Sequence, residues 1–246
     1  MPYGRGKPRS MNFEDLISQA RNLFANGYKE IVLTGINLGL YKDKNAGKDL
    51  SDVVKALNDI AECNILRLSS IEPDLWSTRL IRSIKESNKV CSHFHIPIQS
   101  GADNVLIKMK RRYGSDHVLE LVYDLLSIRP SATIGFDIIC NFPGETNEDF
   151  RKTIDPLDKL PIAYLHVFNY SSRKNTPAAI MKDQVTGKTR KERMSVLLEL
   201  NKIKKNEYLA KLIESKEYLQ GISEKINKAM STALSDHYIR IYKKIS

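Results

Sequence analysis

SATIGFDIICNFPGET, residues 131–146, is an apolar run that carries one acid, Asp137, and then breaks at Phe142-Pro143-Gly144-Glu145-Thr146. A short apolar run bounded by turn signals reads as a buried strand. Pro143 and Gly144 supply the turn. Thr146 or Asn147 then caps a helix whose first turn holds Glu148 and Asp149, acids that the helix dipole favours. Strand, turn and helix N-terminus make an edge able to face a ligand, because α/β folds bind ligands beyond the carboxyl ends of their strands. A βα turn shaped only for packing carries the same signature.

The units on either side repeat this pattern. Asn12 caps a helix whose Phe13, Leu16, Ile17, Ala20, Leu23 and Phe24 form one apolar stripe, and Gly27 stops it. Strands over Glu30–Ile36, Ile65–Ser70, Cys91–Ile98, Thr133–Cys140 and Ala163–Phe168 alternate with helices over Leu50–Ala61, Asp74–Ser87, Ala102–Arg111, Asp116–Ser127 and Asn147–Asp158. Such alternation indicates an α/β fold with a parallel sheet, doubly wound or a barrel. No dinucleotide glycine fingerprint or phosphate loop is present, which favours a barrel. A barrel that opens on a helix is missing its first strand, and the strand at Glu30–Ile36 then has an unpaired edge, from which we expect a marginal or aggregation-prone fold. Beyond Arg173 the chain changes to a loop, a Lys-rich helix over Thr189–Glu214 packed on the exterior, and short strands at Glu217–Leu219 and His237–Tyr242.

The 246 residues, 41% hydrophobic, suffice for one large domain with a small appendage. No run reaches the length of a membrane span and the N-terminus has no apolar signal core, so the reading is soluble, cytoplasmic and without membrane partners. Cys63, Cys91 and Cys140 are widely spaced in or beside apolar segments, as buried thiols are. Residues 173–246 hold 17 Lys+Arg against 8 Asp+Glu, which accounts for nearly all of the net +10. A basic appendage suits a polyanion, RNA or DNA first, and suits a solvated Lys-rich helix as well.

Several strand ends are polar beyond what a core needs: Thr34-Gly35-Ile36-Asn37, Ser69-Ser70-Ile71-Glu72, Gln99-Ser100-Gly101, Asp137 with Glu145, and Asn169-Tyr170-Ser171. In a barrel they converge on one mouth, a set of amides, hydroxyls and carboxylates suited to a ribose or an amino acid. His93 and His95 point to one face of their strand, where a hydrogen-bonding role outweighs a metal pair. Lys108, Lys110, Arg111 and Arg112 form a basic cluster that suits phosphates or solvent. No residue is identifiable as a covalent catalyst, and no metal ligand set emerges.

PYGRGKPRS, LTGINLG, RLSSIEP, HFHIPIQSGADNVLIKMKRRY, DIICNFPGETNEDF and LHVFNYSSRKNTPAA occur in this order. Together they resemble the radical S-adenosylmethionine methylthiotransferases that modify tRNA, most nearly the branch acting at C2 of N6-threonylcarbamoyladenosine 37. The resemblance implies a partial TIM-like barrel of the radical SAM type over 1–172, a linker and basic helix over 173–215, and a truncated TRAM-like RNA-binding tail over 216–246. It implies S-adenosylmethionine as cofactor, with Gly35 and Asn37 near its amino-acid end, Glu72, Gln99 and Ser100 near the ribose, Phe168 and Tyr170 near the adenine, and Asp137 in the same set. Arg5, Lys108, Arg111, Arg112 and Arg240 would face the tRNA anticodon loop.

In the family a C-x3-C-x2-C loop holds a 4Fe-4S cluster just before the PYxRG segment, here Pro2–Gly6, and a separate domain holds a second, sulfur-supplying cluster. An electron donor such as a flavodoxin or ferredoxin serves the intact enzyme. The expectation is therefore a C-terminal part of such an enzyme, inactive alone because the cluster cysteines are absent. Two alternatives stand beside it: a noncatalytic RNA-binding remnant, and an unrelated barrel lyase or isomerase using Asp137 or Glu145 as general base.

Overall fold

The computed structural model describes residues 6, 8–226 and 230–244. They form two compact units, one of residues 1–94 with 219–246, the other of residues 95–218.

The first unit opens with α1 (Phe13–Ala25), capped by the Asn12 side chain, which accepts from the N–H groups of Glu14 and Asp15. Phe13, Ile17, Ala20 and Phe24 bury its apolar stripe. Strand β1 (Glu30–Leu33) pairs in parallel with β4 (Ile65–Leu68). Among the described residues β4 is its only ladder partner, and Val32 remains 48% exposed. Between them lie a hairpin of β2 (Lys42–Asp43) and β3 (Lys48–Asp49), then α2 (Leu50–Asn58), whose Asp49 and Asp52 form a reciprocal capping box. The core gathers Val53, Val54, Leu57, Leu66, Ile71, Leu80, Ile84 and Phe94.

Sequence patterning places a helix over Asp74–Ser87, but Pro73–Leu75 form a 3-10 turn and α3 runs Thr78–Glu86. Ser77 decides this, its Oγ accepting from Leu80 N–H at 3.1 Å as an N-cap.

The second unit holds the three-stranded sheet β5-β6-β7, of which β5 (His93–Gln99) contributes His95 onward; β6 is Thr133–Cys140 and β7 is Tyr164–Asn169, parallel to β6. The expected helix over Ala102–Arg111 shortens to α4 (Asp103–Lys108), because Lys110 takes the left-handed region at φ 57°. Then come α5 (Ser115–Ile128), α6 (Asn147–Lys159) and the long α7 (Gly187–Ser215). Helix α7 packs along β7 and β6, with Leu197 and Leu200 buried, and Asn201 Oδ1 accepts from Leu165 N–H at 2.8 Å.

The C-terminal residues return to the first unit as an antiparallel sheet, β8 (Gly221–Ile226), β9 (Met230–Ser235) and β10 (Arg240–Lys244). The strand expected at Glu217–Leu219 starts instead at Gly221, β9 had no polar/apolar alternation to announce it, and Tyr238 sits in the turn before β10 at φ 60°. There its ring stacks on His93, centroids 4.4 Å apart, and lies 5.5 Å from the Arg67 guanidinium. Arg67, 4% exposed, reaches Glu30 at 2.8 Å and donates to the Ser235 carbonyl at 3.0 Å, so one buried cation ties the tail to β4. Among the described residues no helix is long and apolar enough to cross a membrane.

Candidate functional site

In the first unit the loops after β1 and β4 border a cavity of about 770 Å³. Gly35, Asn37 and Glu72, three of the residues assigned to the cofactor, line it together with Tyr41 and apolar side chains of α1. The loop holds its shape because Gly39 lies against Leu75 and Ile71, where an added Cβ would stand 2.6 Å from the Leu75 Cβ. Asn37 keeps an extended backbone, and its Oδ1 is buried with no hydrogen-bond partner among the described residues. A buried carbonyl oxygen without a donor is costly unless a ligand supplies one. An ammonium would, so this edge fits the amino-acid end of S-adenosylmethionine. Burial, with Asp43 nearby, pushes the Tyr41 phenol above its ordinary range.

The described cysteines do not fit an iron–sulfur cluster. Cys63, Cys91 and Cys140 are all buried and free. Burial raises all three thiols, Cys91 to about 12 and Cys140 to about 11, whereas cluster ligation takes thiolates. Cys140 Sγ is moreover engaged, 3.3 Å from the Met194 sulfur.

In the second unit the residues at the strand ends carry unequal burdens. Gln99 and Asn141, at the carboxyl ends of β5 and β6, are left-handed at φ 66° and 63°, a conformation non-glycine residues adopt at some cost and often near functional sites. Gln99 donates to the Pro97 carbonyl at 3.1 Å. The Ser100 hydroxyl is taken up by packing, 3.3 Å from Thr153 Oγ1 on α6 and accepting from Ala102 N–H. Tyr170 rests edge-on against Phe142 at 5.3 Å with its hydroxyl buried and unpartnered among the described residues, while Phe168 is 51% exposed on β7.

Glu145 is a lock within the fold. Its carboxylate accepts from Asn141 N–H at 2.7 Å and from Arg193 of α7 at 2.9 Å, and only 5% of the residue is exposed. Burial raises its carboxyl despite the Arg193 charge. Arg193 also donates to Asn147 Oδ1 at 2.8 Å, which ties the turn after β6 to α7. Spacing alone had not revealed Arg193, 48 residues away.

Asp137 lies beside two histidines. His95 Nε2 on β5 is 3.0 Å from Asp137 Oδ1, and His166 Nδ1 on β7 is 3.3 Å from the same oxygen. His93, in the first unit, has Tyr238 as a ring partner. Residues two apart on a strand stand ~6.6 Å apart, while facing residues of neighbouring strands are closer, so His95 meets its cross-strand neighbours.

Of the residues assigned to RNA, Lys108 donates to the Gly144 carbonyl at 2.6 Å, Arg111 is half-buried, Arg112 is exposed, and Arg240 pairs with Glu224 at 2.9 Å. Arg5 lies outside the described residues.

Residues 1–157 match the model of the radical SAM superfamily. A tRNA-2-methylthio-N(6)-dimethylallyladenosine synthase of Thermoanaerobacter pseudethanolicus is 37% identical over 237 residues, 94% of this chain and 50% of that protein. The threonylcarbamoyladenosine tRNA methylthiotransferase MtaB of Bacillus subtilis is 36% identical over 250 residues, 98% of this chain and 54% of that protein. The chain thus spans about half the length of the curated relatives it matches. Among solved structures, the radical S-adenosylmethionine methyltransferase TsrM of Kitasatospora setae superposes with a TM-score of 0.55 at 16% identity over 71% of this chain and 33% of that one. The coproporphyrinogen III oxidase HemN of Escherichia coli does so with 0.53 at 16% identity over 85% of this chain and 46% of that one. A buried strand-and-turn scaffold with a cofactor-sized cavity, matched over most of its length by this superfamily's model, identifies the chain as a member of the radical SAM superfamily whose homologues are tRNA methylthiotransferases.

Proposed function

We propose that the chain is the S-adenosylmethionine-binding part of a tRNA methylthiotransferase that adds a methylthio group at C2 of N6-threonylcarbamoyladenosine 37 in the anticodon loop. The observation that carries this reading is the unpartnered Asn37 Oδ1 in the cavity bordered by the loops after β1 and β4. Bound S-adenosylmethionine supplies one-electron carbon–sulfur cleavage and hydrogen abstraction. Asn37 accepts from its ammonium, and Glu72 accepts from its ribose hydroxyls. Gln99, Ser100, Phe168 and Tyr170 keep the cofactor roles that the resemblance implies.

Residues 1–172 are then a partial radical barrel, 173–215 a linker and basic helix packed on it, and 216–246 a truncated TRAM-like tail that meets RNA. Three buried cysteines spread over residues 63, 91 and 140 give the chain no cluster of its own, so by itself it is inactive, and an electron donor such as flavodoxin or ferredoxin serves only the whole enzyme. The choice of threonylcarbamoyladenosine draws on the ordered motifs and on the MtaB relatives, 37% and 36% identical.

Complementation tests it. In a strain lacking the threonylcarbamoyladenosine methylthiotransferase, the chain fused behind the N-terminal half of the Bacillus subtilis MtaB should restore 2-methylthio-N6-threonylcarbamoyladenosine in digested tRNA, and the chain alone should not. Asn37→Leu in the fusion should weaken S-adenosylmethionine binding about tenfold or more. Product from the chain alone would refute the inactivity. Methylthiolated dimethylallyladenosine as the product would refute the substrate assignment, and no product from a soluble fusion would refute the transferase reading.

A further inference from the structure

Three adjacent strands of the second unit bring His95, Asp137 and His166 to one point. Asp137 and His166 face each other directly in the β6–β7 register, and β5 borders β6 on its other side. The two ring nitrogens and the carboxylate oxygen all lie within 4.8 Å of one another, with the shared oxygen 3.0 Å from His95 Nε2 and 3.3 Å from His166 Nδ1.

The surroundings are shaped for this cluster. Gly135 stands two residues before Asp137 on the same face of β6, and a Cβ there would lie 2.0 Å from the Tyr164 ring. The missing side chain lets the Tyr164 ring lie across β6. It runs parallel to His95, 7° between planes with centroids 6.1 Å apart, and sits 4.9 Å from His166. Tyr164 is buried and thereby walls one side of the cluster. The His166 side chain is 51% exposed, against 13% for His95 and 22% for Asp137, so the cluster is enclosed on the β5–β6 side and open to solvent at β7.

The geometry points to a metal site: we propose that His95, Asp137 and His166 bind a divalent first-row transition ion, Zn²⁺ foremost. Zinc holds imidazole nitrogen and carboxylate oxygen at ~2.0–2.2 Å in a tetrahedron, which sets neighbouring ligand atoms about 3.3 Å apart. The two separations from the carboxylate oxygen already stand near that value. Three protein ligands with an open fourth position is the arrangement of zinc that takes up water or a substrate donor rather than of structural zinc. The chemical class that the open position accepts is therefore an oxygen or nitrogen donor, water first. This site does not depend on the transferase reading; it removes only Asp137 from the set assigned to S-adenosylmethionine.

Two hydrogen bonds from neutral imidazoles to one carboxylate would give the same contacts with no affinity for metal, and the experiment separates the two. The full chain, freed of any affinity tag and treated with chelator, is titrated with Zn²⁺ alone by calorimetry and with Co²⁺ alone by visible absorption. The expected result is one Zn²⁺ per chain, a tetrahedral Co²⁺ spectrum without sulfur-to-cobalt charge transfer, and a melting temperature raised by Zn²⁺. His166→Ala, at a half-exposed position that leaves the strand core intact, should weaken Zn²⁺ at least tenfold, and the near-isosteric Asp137→Asn should do the same. Absence of stoichiometric Zn²⁺ binding would overturn the proposal. So would undiminished binding in both variants, or a cobalt spectrum carrying thiolate charge transfer, which would place the ion on cysteine.

Discussion

Inside the second unit, Arg193 and Glu145 meet at 2.9 Å with side chains 6% and 2% exposed. Such a pair adds little over an apolar pair of equal volume, but removing one partner strands a buried charge, at a cost of about 3–5 kcal/mol. Arg193→Ala should therefore lower unfolding stability in urea by about that amount. Arg193→Ala with Glu145→Gln should recover part of it, because the stranded charge is gone. Neither partner can be paired from the sequence: Glu145 reads there as a strand-end acid open to a ligand, and only the return of α7 closes it off. His166 escaped notice for the same reason. It lies 29 residues from Asp137, and pairing across a sheet leaves no spacing signal. That Asn37 stands in a loop beyond a strand was legible, since a polar residue there has little packing use.

Local chemistry was the part of each element that the sequence states outright. Helix α6 starts where Thr146 stands, with Thr146 Oγ1 accepting from Asp149 N–H at 3.0 Å and Asp149 accepting from Thr146 N–H at 3.0 Å. All of its partners lie within one turn, so spacing predicts it. Helix α3 and strand β9 were less legible, because a serine cap inside a helical pattern and a strand without alternation are decided by neighbours. Thr146→Ala should cost about 1 kcal/mol in urea unfolding. A pH dependence accompanies it. Burial works to raise the Asp149 carboxyl, yet hydrogen bonds from Thr146 and Asn104 together hold it below its ordinary 3.8. A carboxyl depressed in the folded state stabilises above its unfolded pKa and loses that contribution as pH falls through the folded one. Between neutrality and about pH 4 the Asp149 contribution should be flat, and below that it should fall away, a loss that Asp149→Asn should reduce in acid melts.

Across the whole molecule, charge is the property that the sequence displays best and the fold redistributes least. With 17 Lys+Arg in residues 173–246, tRNA binding through phosphates should weaken with salt, log K falling by about 0.9 per duplex phosphate neutralised. Filter binding over a salt series checks this, and a flat response would remove the phosphate-binding role, the noncatalytic RNA-binding reading included. Among the described residues β1 has no ladder partner beyond β4, which keeps the aggregation expectation in force, to be read from light scattering on heating.

The buried Arg67 couples the order of synthesis to the order of folding. Its acceptor on Ser235 lies 168 residues downstream, whereas residues 95–218 form one uninterrupted stretch. On the ribosome residues 95–218 are complete as a unit once Tyr218 emerges, while residues 1–94 hold an incompletely partnered cation until Ser235 is released. Within this sequence residues 1–94 are therefore made before residues 95–218 and completed after them.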